Sequence, residues 1–371
     1  MNESQGQGEY NFWTHLLRLP DLQNLALAIA LAFLAGLLLD TLHVPAGWLL
    51  GPLVAGIFCA VFQGGSPTLP PILILTSRSV LGLVAASRFS LETLQAVATY
   101  ALPLLLCIPL AASLSLVNGY LLARWAGLDR ATSFLGCIPG ASTGIIAMSE
   151  EVGADALAVA LLQYIRMLLV IAIVPAIATF LFPHATLAST LAAPALAQPP
   201  SLPPWIDIPV LALCCPVGTR VGQWLRLPSS SFLGAFFVGI VLFWSVPRVV
   251  IPDWLFAAGL LVVGLSIGLN FDWHTTRKLF KAALIDIGLV LGLIFGCLGI
   301  AYGFHWVAQI DLITAILGLT PGGLEAMLAT VIQLGGDTGV VLALQMTRMF
   351  LILFLSPWLI SLWFQPKPRN H

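Results

Sequence analysis

The chain has 371 residues, of which 59% are hydrophobic and 8% are charged, and its mean hydropathy is +0.99. A soluble globular chain carries roughly 25% charged residues, so this composition excludes an ordinary soluble protein and predicts an integral membrane protein. The net charge of −1 argues against a nucleic-acid partner, because neutralising phosphates requires a basic face.

Twelve apolar segments follow one another along the chain, each of about the length that a membrane-crossing helix needs. A stretch rich in Pro and Ala divides them into two sets of six. We predict a cytoplasmic N-terminal segment at 1–22, membrane repeats at 23–183 and 206–365, a linker at 184–205 and a cytoplasmic tail at 366–371. The segments are 24–40, 46–62, 71–87, 96–123, 131–149 and 155–182, then 207–225, 229–246, 253–270, 281–304, 312–333 and 338–364.

The second set of segments repeats the first. A shift of 182 positions aligns 129–182 with 311–364 without a gap. Apolar residues can align by chance, but Pro, Asp, Gln and Arg in one register indicate an internal repeat. The identical pairs include Gly136 and Gly318, Pro139 and Pro321, Gly140 and Gly322, Asp155 and Asp337, Gln163 and Gln345, and Arg166 and Arg348.

The loop charges predict how the two halves are oriented. Cytoplasmic loops carry an excess of Lys and Arg. If the fifth segment of each half returns to the side from which it entered, ten of the twelve loop Lys and Arg residues lie inside. We therefore predict an all-α fold of two inverted repeats, each with about five transmembrane helices and one broken or re-entrant segment. We also predict that the protein lies in the cytoplasmic (inner) membrane and that both termini face the cytoplasm.

The fifth segment of each half contains a Pro-Gly sequence, at Pro139-Gly140 and at Pro321-Gly322. Pro and Gly break helices, and broken backbone at membrane depth survives only where it is buried in protein or lines a watery cavity. A half-helix that starts after such a break presents free amides, which suit an anionic ligand group. A packing kink is the alternative. Paired broken segments in inverted repeats indicate a secondary transporter.

The sixth segments carry polar residues on one helical stripe. Gln163 and Arg166 repeat as Gln345 and Arg348, near the middle of the predicted bilayer. A charged residue there costs roughly 3 kcal/mol, so it must face the protein interior or a cavity. Two interpretations stay open: the arginines contact the solute, or they tie the broken helix to its neighbour through exposed carbonyls.

Further charged residues have less defined roles. Glu325 stands where the first half has Thr143, and either a coupling-ion site or a structural ion pair fits it. Arg78 is a third candidate for a buried cation, and the alternative is that it lies close enough to an interface for its side chain to snorkel. Asp40, Asp286 and Asn270 lie near predicted segment ends, where we expect them to be solvated.

Several classes of chemistry have no support in the sequence. The six histidines are scattered without metal-ligand spacing, and no Walker-type phosphate loop is present. The Ser and Cys residues lack a plausible His–acid pair. We therefore predict no enzyme activity, no metal and no cofactor.

The two Pro-Gly motifs and the Gln-x-x-Arg-Met helices at 163–167 and 345–349 resemble the membrane AbrB-duplication family. The resemblance runs from about Leu25 to Phe364. The first motif departs from the family pattern, with Ala141 and Thr143 in place of Gly323 and Glu325. Members carry labels such as transcriptional regulator or ammonia monooxygenase, and the family is similar to inverted-repeat transporters at the level of fold.

These observations predict an ion-coupled secondary transporter of a small anionic or zwitterionic solute, with H+ or Na+ as the coupling ion. The alternative is a membrane-embedded sensor that affects gene expression indirectly, without transport. The expected partners are the solute and the lipid bilayer, with no nucleic acid, and a homodimer stays open. The predicted solute-binding residues are Pro139, Gly140, Ser142, Thr143, Gln163, Arg166, Thr320, Pro321, Gly322, Gly323, Glu325, Gln345 and Arg348.

Overall fold

The computed structural model contains only helices as regular elements in the part of the chain that it describes. The predicted N-terminal segment, linker and tail lie almost wholly outside that part, as do Gly140, Ser142 and Thr143 of the first Pro-Gly motif. The described residues are 19–62, 69–90, 95, 101–139, 145–146, 148–149, 152–181, 204–227, 229–246 and 249–363.

The helices follow the predicted apolar segments closely. The segment 312–333 is divided at its Pro-Gly sequence into two helices, and the segment 131–149 begins with a helix that ends before Pro139. A short helix that we did not predict precedes the longest one. The helices are α1 (Leu19–Thr41), α2 (Gly47–Phe62), α3 (Pro71–Ser87), α4 (Ala101–Ala126), α5 (Arg130–Cys137), α6 (Ala156–Leu181), α7 (Pro204–Trp224), α8 (Ser230–Ser245), α9 (Asp253–Leu269), α10 (Trp273–Lys278), α11 (Phe280–Ala308), α12 (Leu312–Leu319), α13 (Leu324–Leu334) and α14 (Thr338–Trp363).

Some of these helices have the dimensions of membrane spans. Among the described residues, four stretches are long and apolar enough to cross a bilayer, by length and composition. Six other apolar helices are shorter, with 10–17 described residues each. The all-helical structure and these apolar stretches fit an all-α membrane protein. The four stretches are Gln23–Thr41, Leu106–Ala126, Ala156–Phe180 and Phe280–Ala308.

The helices pack into two groups, each of which draws on both halves of the chain. In the first group, α1–α3 pack with α7–α9, and the main contacts between the two halves of the chain are α2 with α9 and α3 with α8. In the second group, α4–α6 pack with α10–α14, and α4 and α6 both lie against α11. The groups meet where α13 contacts α3 and α9 and where α14 contacts α3. The Gln333 side chain of α13 also accepts a hydrogen bond from the backbone N–H of Ala46 in the first group.

Local capping defines the starts of the two helices that precede the Pro-Gly sequences. Asp129 Oδ2 accepts a hydrogen bond of 2.8 Å from the backbone N–H of Thr132, and Asp311 does the same for Thr314 at 2.8 Å. A carboxylate at this position satisfies a free amide and favours the positive end of the helix. These contacts recur 182 positions apart, in the register in which the sequence aligns.

Glycines allow the helices of the first group to cross at very short distances. A Cβ atom on Gly264 of α9 would lie 2.3 Å from the carbonyl oxygen of Leu49 in α2. A Cβ atom on Gly82 of α3 would lie 2.3 Å from the carbonyl oxygen of Phe232 in α8. Real side chains do not approach a backbone oxygen so closely, so only glycine permits these crossings.

Replacing Gly264 with Ala is therefore expected to destabilise the protein by about 1–3 kcal/mol, because the new methyl group forces α2 and α9 apart. The melting temperature of purified protein in detergent measures this effect. The matched control is Gly288→Ala on α11, where nothing lies within 4 Å of the added Cβ. That control should leave the melting temperature unchanged or raise it, since Ala favours helix over Gly. Equal melting temperatures for the two variants would contradict the close crossing.

Candidate functional site

A cavity of about 190 Å³ lies where the two helix groups meet. The first group contributes residues of α3 and α9 and the residue that precedes α8. The second group contributes the Pro-Gly segments together with residues of α6, α13 and α14. The lining residues are Arg78, Ser229, Ser266, Ile267 and Asn270 from the first group, and Pro139, Tyr164, Arg166, Met167, Pro321, Gly322, Gly323, Leu324, Glu325, Gln345, Arg348 and Met349 from the second.

The break in the second half places a helix end at this cavity. Helix α12 ends at Leu319, and Thr320 has extended backbone with φ −73° and ψ 132°. Helix α13 starts four residues later, and its N-cap residue Gly323 provides no side-chain hydrogen bond. The first amides of a helix have no partner within the helix, and they carry the positive end of its dipole. Because Gly323 and Leu324 line the cavity, this positive end faces it.

Gln345 and Arg348 hold the end of α12 in place. Gln345 Nε2 donates to the carbonyl oxygens of Leu317 at 2.7 Å and Thr320 at 3.1 Å. Arg348 Nη1 donates to the carbonyl oxygens of Thr320 at 3.1 Å and Leu319 at 3.4 Å, and its Nη2 donates to Gln345 Oε1 at 2.5 Å. The last carbonyls of a helix need such donors, and a cation at this end complements the helix dipole.

The first half contains the same arrangement. Gln163 Nε2 donates to the carbonyl oxygens of Leu135 at 2.8 Å and Ile138 at 3.0 Å. Arg166 Nη1 donates to the carbonyl oxygen of Cys137 at 3.0 Å, and its Nη2 donates to Gln163 Oε1 at 2.6 Å. The side chains of these two glutamines and two arginines are all buried. The Gln–Arg pairs therefore tie α6 and α14 to the broken segments, as one of the two interpretations of the stripe proposes.

The arginines retain unused hydrogen-bonding capacity at the cavity. The Nε atoms of Arg166 and Arg348 are buried and have no hydrogen-bond partner. The two guanidinium groups also repel one another electrostatically. Both arginines line the cavity. They can therefore contact a solute directly while they keep their hydrogen bonds to the broken segments.

Glu325 forms an ion pair with Arg78 across the boundary between the two helix groups. Arg78 Nε lies 3.8 Å from Glu325 Oε1, which is too long for a hydrogen bond. This is the only salt bridge among the residues that the structure describes. The Arg78 side chain is 35% exposed, so it is not the fully buried cation that the sequence allowed. Arg78 is thus the ion-pair partner of Glu325. Because the pair is loose, either residue can exchange its partner for another charged group.

Asp286 is buried, contrary to the expectation that it would be solvated near a segment end. Its exposed fraction is 2%, and its Oδ2 atom has no hydrogen-bond partner. The reason is that α11 begins at Phe280 and turns this face inward against α6, where Arg166 interacts with Asp286 electrostatically. Asp40 and Asn270 are exposed, as expected, although Asn270 also lines the cavity.

The structure brings most of the predicted site residues to one place. Gln163 and Thr320 are not among the lining residues of the cavity, and both take part in the hydrogen bonds of the broken segments. Sequence reasoning did not include Tyr164 of α6 or Asn270, the residue that follows α9, among the site residues. The role of all these residues in binding a solute stays a prediction. The predicted residues that line the cavity are Pro139, Arg166, Pro321, Gly322, Gly323, Glu325, Gln345 and Arg348.

The apolar helices, the broken segments and their buried Gln–Arg pairs fit a class of all-α membrane proteins. The chain belongs to the AbrB family: the family model described as "Transition state regulatory protein AbrB" matches residues 48–364. The resemblance seen in the sequence motifs is thereby confirmed.

Two relatives match over nearly their whole length. The chain is similar to "Putative regulator AbrB" of Escherichia coli (strain K12), with 32% identity over 341 residues, which cover 90% of this chain and 92% of the relative. It is also similar to "Uncharacterized protein YhjN" of Bacillus subtilis (strain 168), with 23% identity over 346 residues, 89% of this chain and 90% of the relative. No solved structure matches the chain.

The equivalent contacts of the two arginines predict equivalent losses of stability. Arg348→Ala strands the carbonyl of Leu319, and Arg166→Ala strands that of Cys137, whereas the carbonyl of Thr320 keeps Gln345 as a donor. An unsatisfied buried group costs about 1–3 kcal/mol, so each variant should melt several degrees below wild type. The exposed Arg277→Ala on α10 is the control and should melt as wild type does. Wild-type melting temperatures for both variants would show that the carbonyls do not depend on the arginines.

Proposed function

We propose that the protein is a secondary transporter that carries a small anionic or zwitterionic solute across the cytoplasmic membrane, driven by an ion gradient. The observation that carries the proposal is the charge of the cavity. Arg78, Arg166 and Arg348 line it, and Glu325 is the only acid among its described lining residues. The positive end of α13 adds to this potential. A carboxylate suits such a site, because guanidinium groups match its planar geometry.

The size of the cavity limits the solute. Pockets for drug-sized ligands have volumes of about 300–1,000 Å³, whereas this cavity has about 190 Å³. A solute of a few non-hydrogen atoms, such as a short carboxylate or a small amino acid, fits within it. Apolar lining residues such as Ile267 and Met349 leave room for a short hydrocarbon portion beside the charged group.

The arrangement of the two halves supports transport. The loop charges favour inverted repeats with both termini inside, and the helix caps and Gln–Arg pairs recur 182 positions apart. In transporters with inverted repeats, the solute binds near the midplane beside broken helices. In support of this proposal, the cavity lies beside the broken segments and between two helix groups. A movement of one group against the other would open it to one side of the membrane and then to the other.

A second candidate is a membrane-embedded sensor that binds the same kind of solute without moving it. The name of the Escherichia coli relative, a putative regulator, favours this alternative. In either case the proposed role is binding, without a catalytic step. Solute flux separates the two candidates, because a sensor binds its ligand and is stabilised by it but does not carry it across a sealed membrane.

Arg78 provides the sharpest test of the site, because its side chain makes no hydrogen bond to another residue that the structure describes. We expect lactate, malate and glycine, screened at neutral pH, to include a solute that raises the melting temperature of the purified protein and enters proteoliposomes under an imposed ion gradient. Arg78→Gln should remove the solute-dependent stabilisation and lower uptake at least tenfold, while the solute-free protein melts within a few degrees of wild type.

The matched control for this experiment is Arg88→Gln, at the end of the same helix and exposed. It should leave both stabilisation and uptake unchanged. Wild-type uptake by the Arg78→Gln protein would exclude this cavity from the transport path. Stabilisation by a solute that shows no flux under any gradient would favour the sensor.

The orientation of the chain is tested by labelling single cysteines in a cysteine-free background. Ala192→Cys in the predicted linker should react with a membrane-impermeant maleimide added to intact cells, because the inverted model places the linker outside. Asn370→Cys in the tail is the control and should react only in inside-out vesicles. Labelling of the linker cysteine only in inside-out vesicles would contradict inverted repeats.

A further inference from the structure

Asp286 is a buried acid that the cavity does not explain. It lies on α11, six residues after the start of that helix, and thus about 9 Å along the helix axis from its first residue. It is 2% exposed, it is not among the lining residues of the cavity, and its Oδ2 atom lacks a hydrogen-bond partner. An ionisable residue within a membrane helix is costly, and it marks a functional site by default.

Among the charged groups on the helices around Asp286, Arg166 is the counter-charge of this residue. Arg166 lies on α6, which packs against α11, and its positive charge acts on Asp286. The charged residue Arg124 of α4 and Lys281 of α11 itself are exposed, and so are the charged or titratable residues of α10, which are His274, Arg277 and Lys278. Helix α12 has no charged residue. The elements packed against this part of α11 therefore present one buried positive charge to the carboxyl group.

Asp286 and Arg166 interact without forming a close ion pair. The distance between their charged atoms exceeds the 4 Å limit of a salt bridge, which the described residues meet only at Arg78 and Glu325. Arg166 uses Nη1 and Nη2 for Cys137 and Gln163, and its buried Nε atom has no partner. A buried carboxylate without a hydrogen-bond donor tends to bind a proton, whereas a nearby cation favours the ionised form. These opposing effects make the charge of Asp286 sensitive to the charges in the cavity.

The two halves differ at this point. Helix α4, the counterpart of α11 in the first half, contains no acid, so Arg348 has no equivalent of Asp286 there. Arg166 and Arg348 repel one another, and a negative charge on Asp286 offsets part of that repulsion. When Asp286 binds a proton, the positive charge beside the cavity increases by one. An anion bound in the cavity then takes the place of Asp286 as the negative charge that offsets Arg166.

We propose that Asp286 is a proton-binding site that couples protons to the anion site through Arg166. A proton on Asp286 strengthens anion binding in the cavity, and a bound anion strengthens proton binding at Asp286, because coupling between two sites is reciprocal. This inference deepens the proposed transport function, and it selects H+ as the ion that moves with the solute. Its proton-binding part holds whether the protein transports or senses.

The first experiment detects the proton directly and needs no solute. Infrared difference spectra of the protein in liposomes are recorded as the pH is lowered over the range in which the protein stays folded. Wild type should develop the carbonyl band of a protonated carboxylic acid, and Asp286→Asn should lack that band. The control Asp40→Asn removes an exposed carboxyl group at the end of α1 and should keep the band. A wild-type spectrum in which Asp286→Asn removes no titrating band overturns the proposal.

The second experiment tests the coupling with charge changes in the cavity. Arg78→Gln removes one positive charge, as a bound anion would neutralise one, so the midpoint of the Asp286 band should move to higher pH. Glu325→Gln removes a negative charge and should move the midpoint to lower pH. Arg88→Gln, outside the cavity, should leave it unchanged. Midpoints that are equal in all four proteins overturn the coupling, even if Asp286 binds a proton.

These outcomes are separable from those of the transport experiment. Absence of any solute flux with an intact infrared titration counts against transport and leaves Asp286 as a proton site. Flux without a titrating Asp286 band counts against this inference and leaves transport standing.

Discussion

The constraint on which the structure depends is that the carbonyl groups at the ends of broken helices need donors where water is scarce. Helices α5 and α12 stop inside the second helix group, and each leaves its last carbonyls without partners within the helix. Gln163 with Arg166, and Gln345 with Arg348, supply donors from the neighbouring long helices. A Pro-Gly break without such a pair would expose unsatisfied backbone, and the cavity beside the break would not be stable.

The same solution creates the charge of the cavity. A neutral donor could satisfy a carbonyl, but a guanidinium group brings a positive charge with it, and two such groups lie close enough to repel. Arg78 adds a third charge from the first helix group and is offset by Glu325 at 3.8 Å. Asp286, which does not line the cavity, offsets part of the charge of Arg166. The residues that stabilise the break thus also supply the positive charge of the cavity, on which the proposed anion site depends.

The packing of the first helix group complements this arrangement. Glycines such as Gly82 and Gly264 bring helix backbones together at distances that no other residue allows. Close contacts of this kind join α2 to α9 and α3 to α8, so that helices from the two halves of the chain form one body. The second group contains the broken segments and the polar pairs. The cavity lies between these bodies, with Arg78 on one side and Glu325 on the other.

The sequence by itself determined the features that depend on short-range interactions. Apolar length set the helix bounds, Pro321-Gly322 set the break, Asp129 and Asp311 set the helix starts, and the spacing of Gln345 and Arg348 put both on one stripe. Each of these effects acts within one or two helical turns. Tertiary structure alone decided that Arg78 pairs with Glu325, which is far away in the chain, and that Asp286 turns inward toward Arg166. Those contacts depend on which helices pack together and how they are rotated, and local periodicity carries no information about a distant partner.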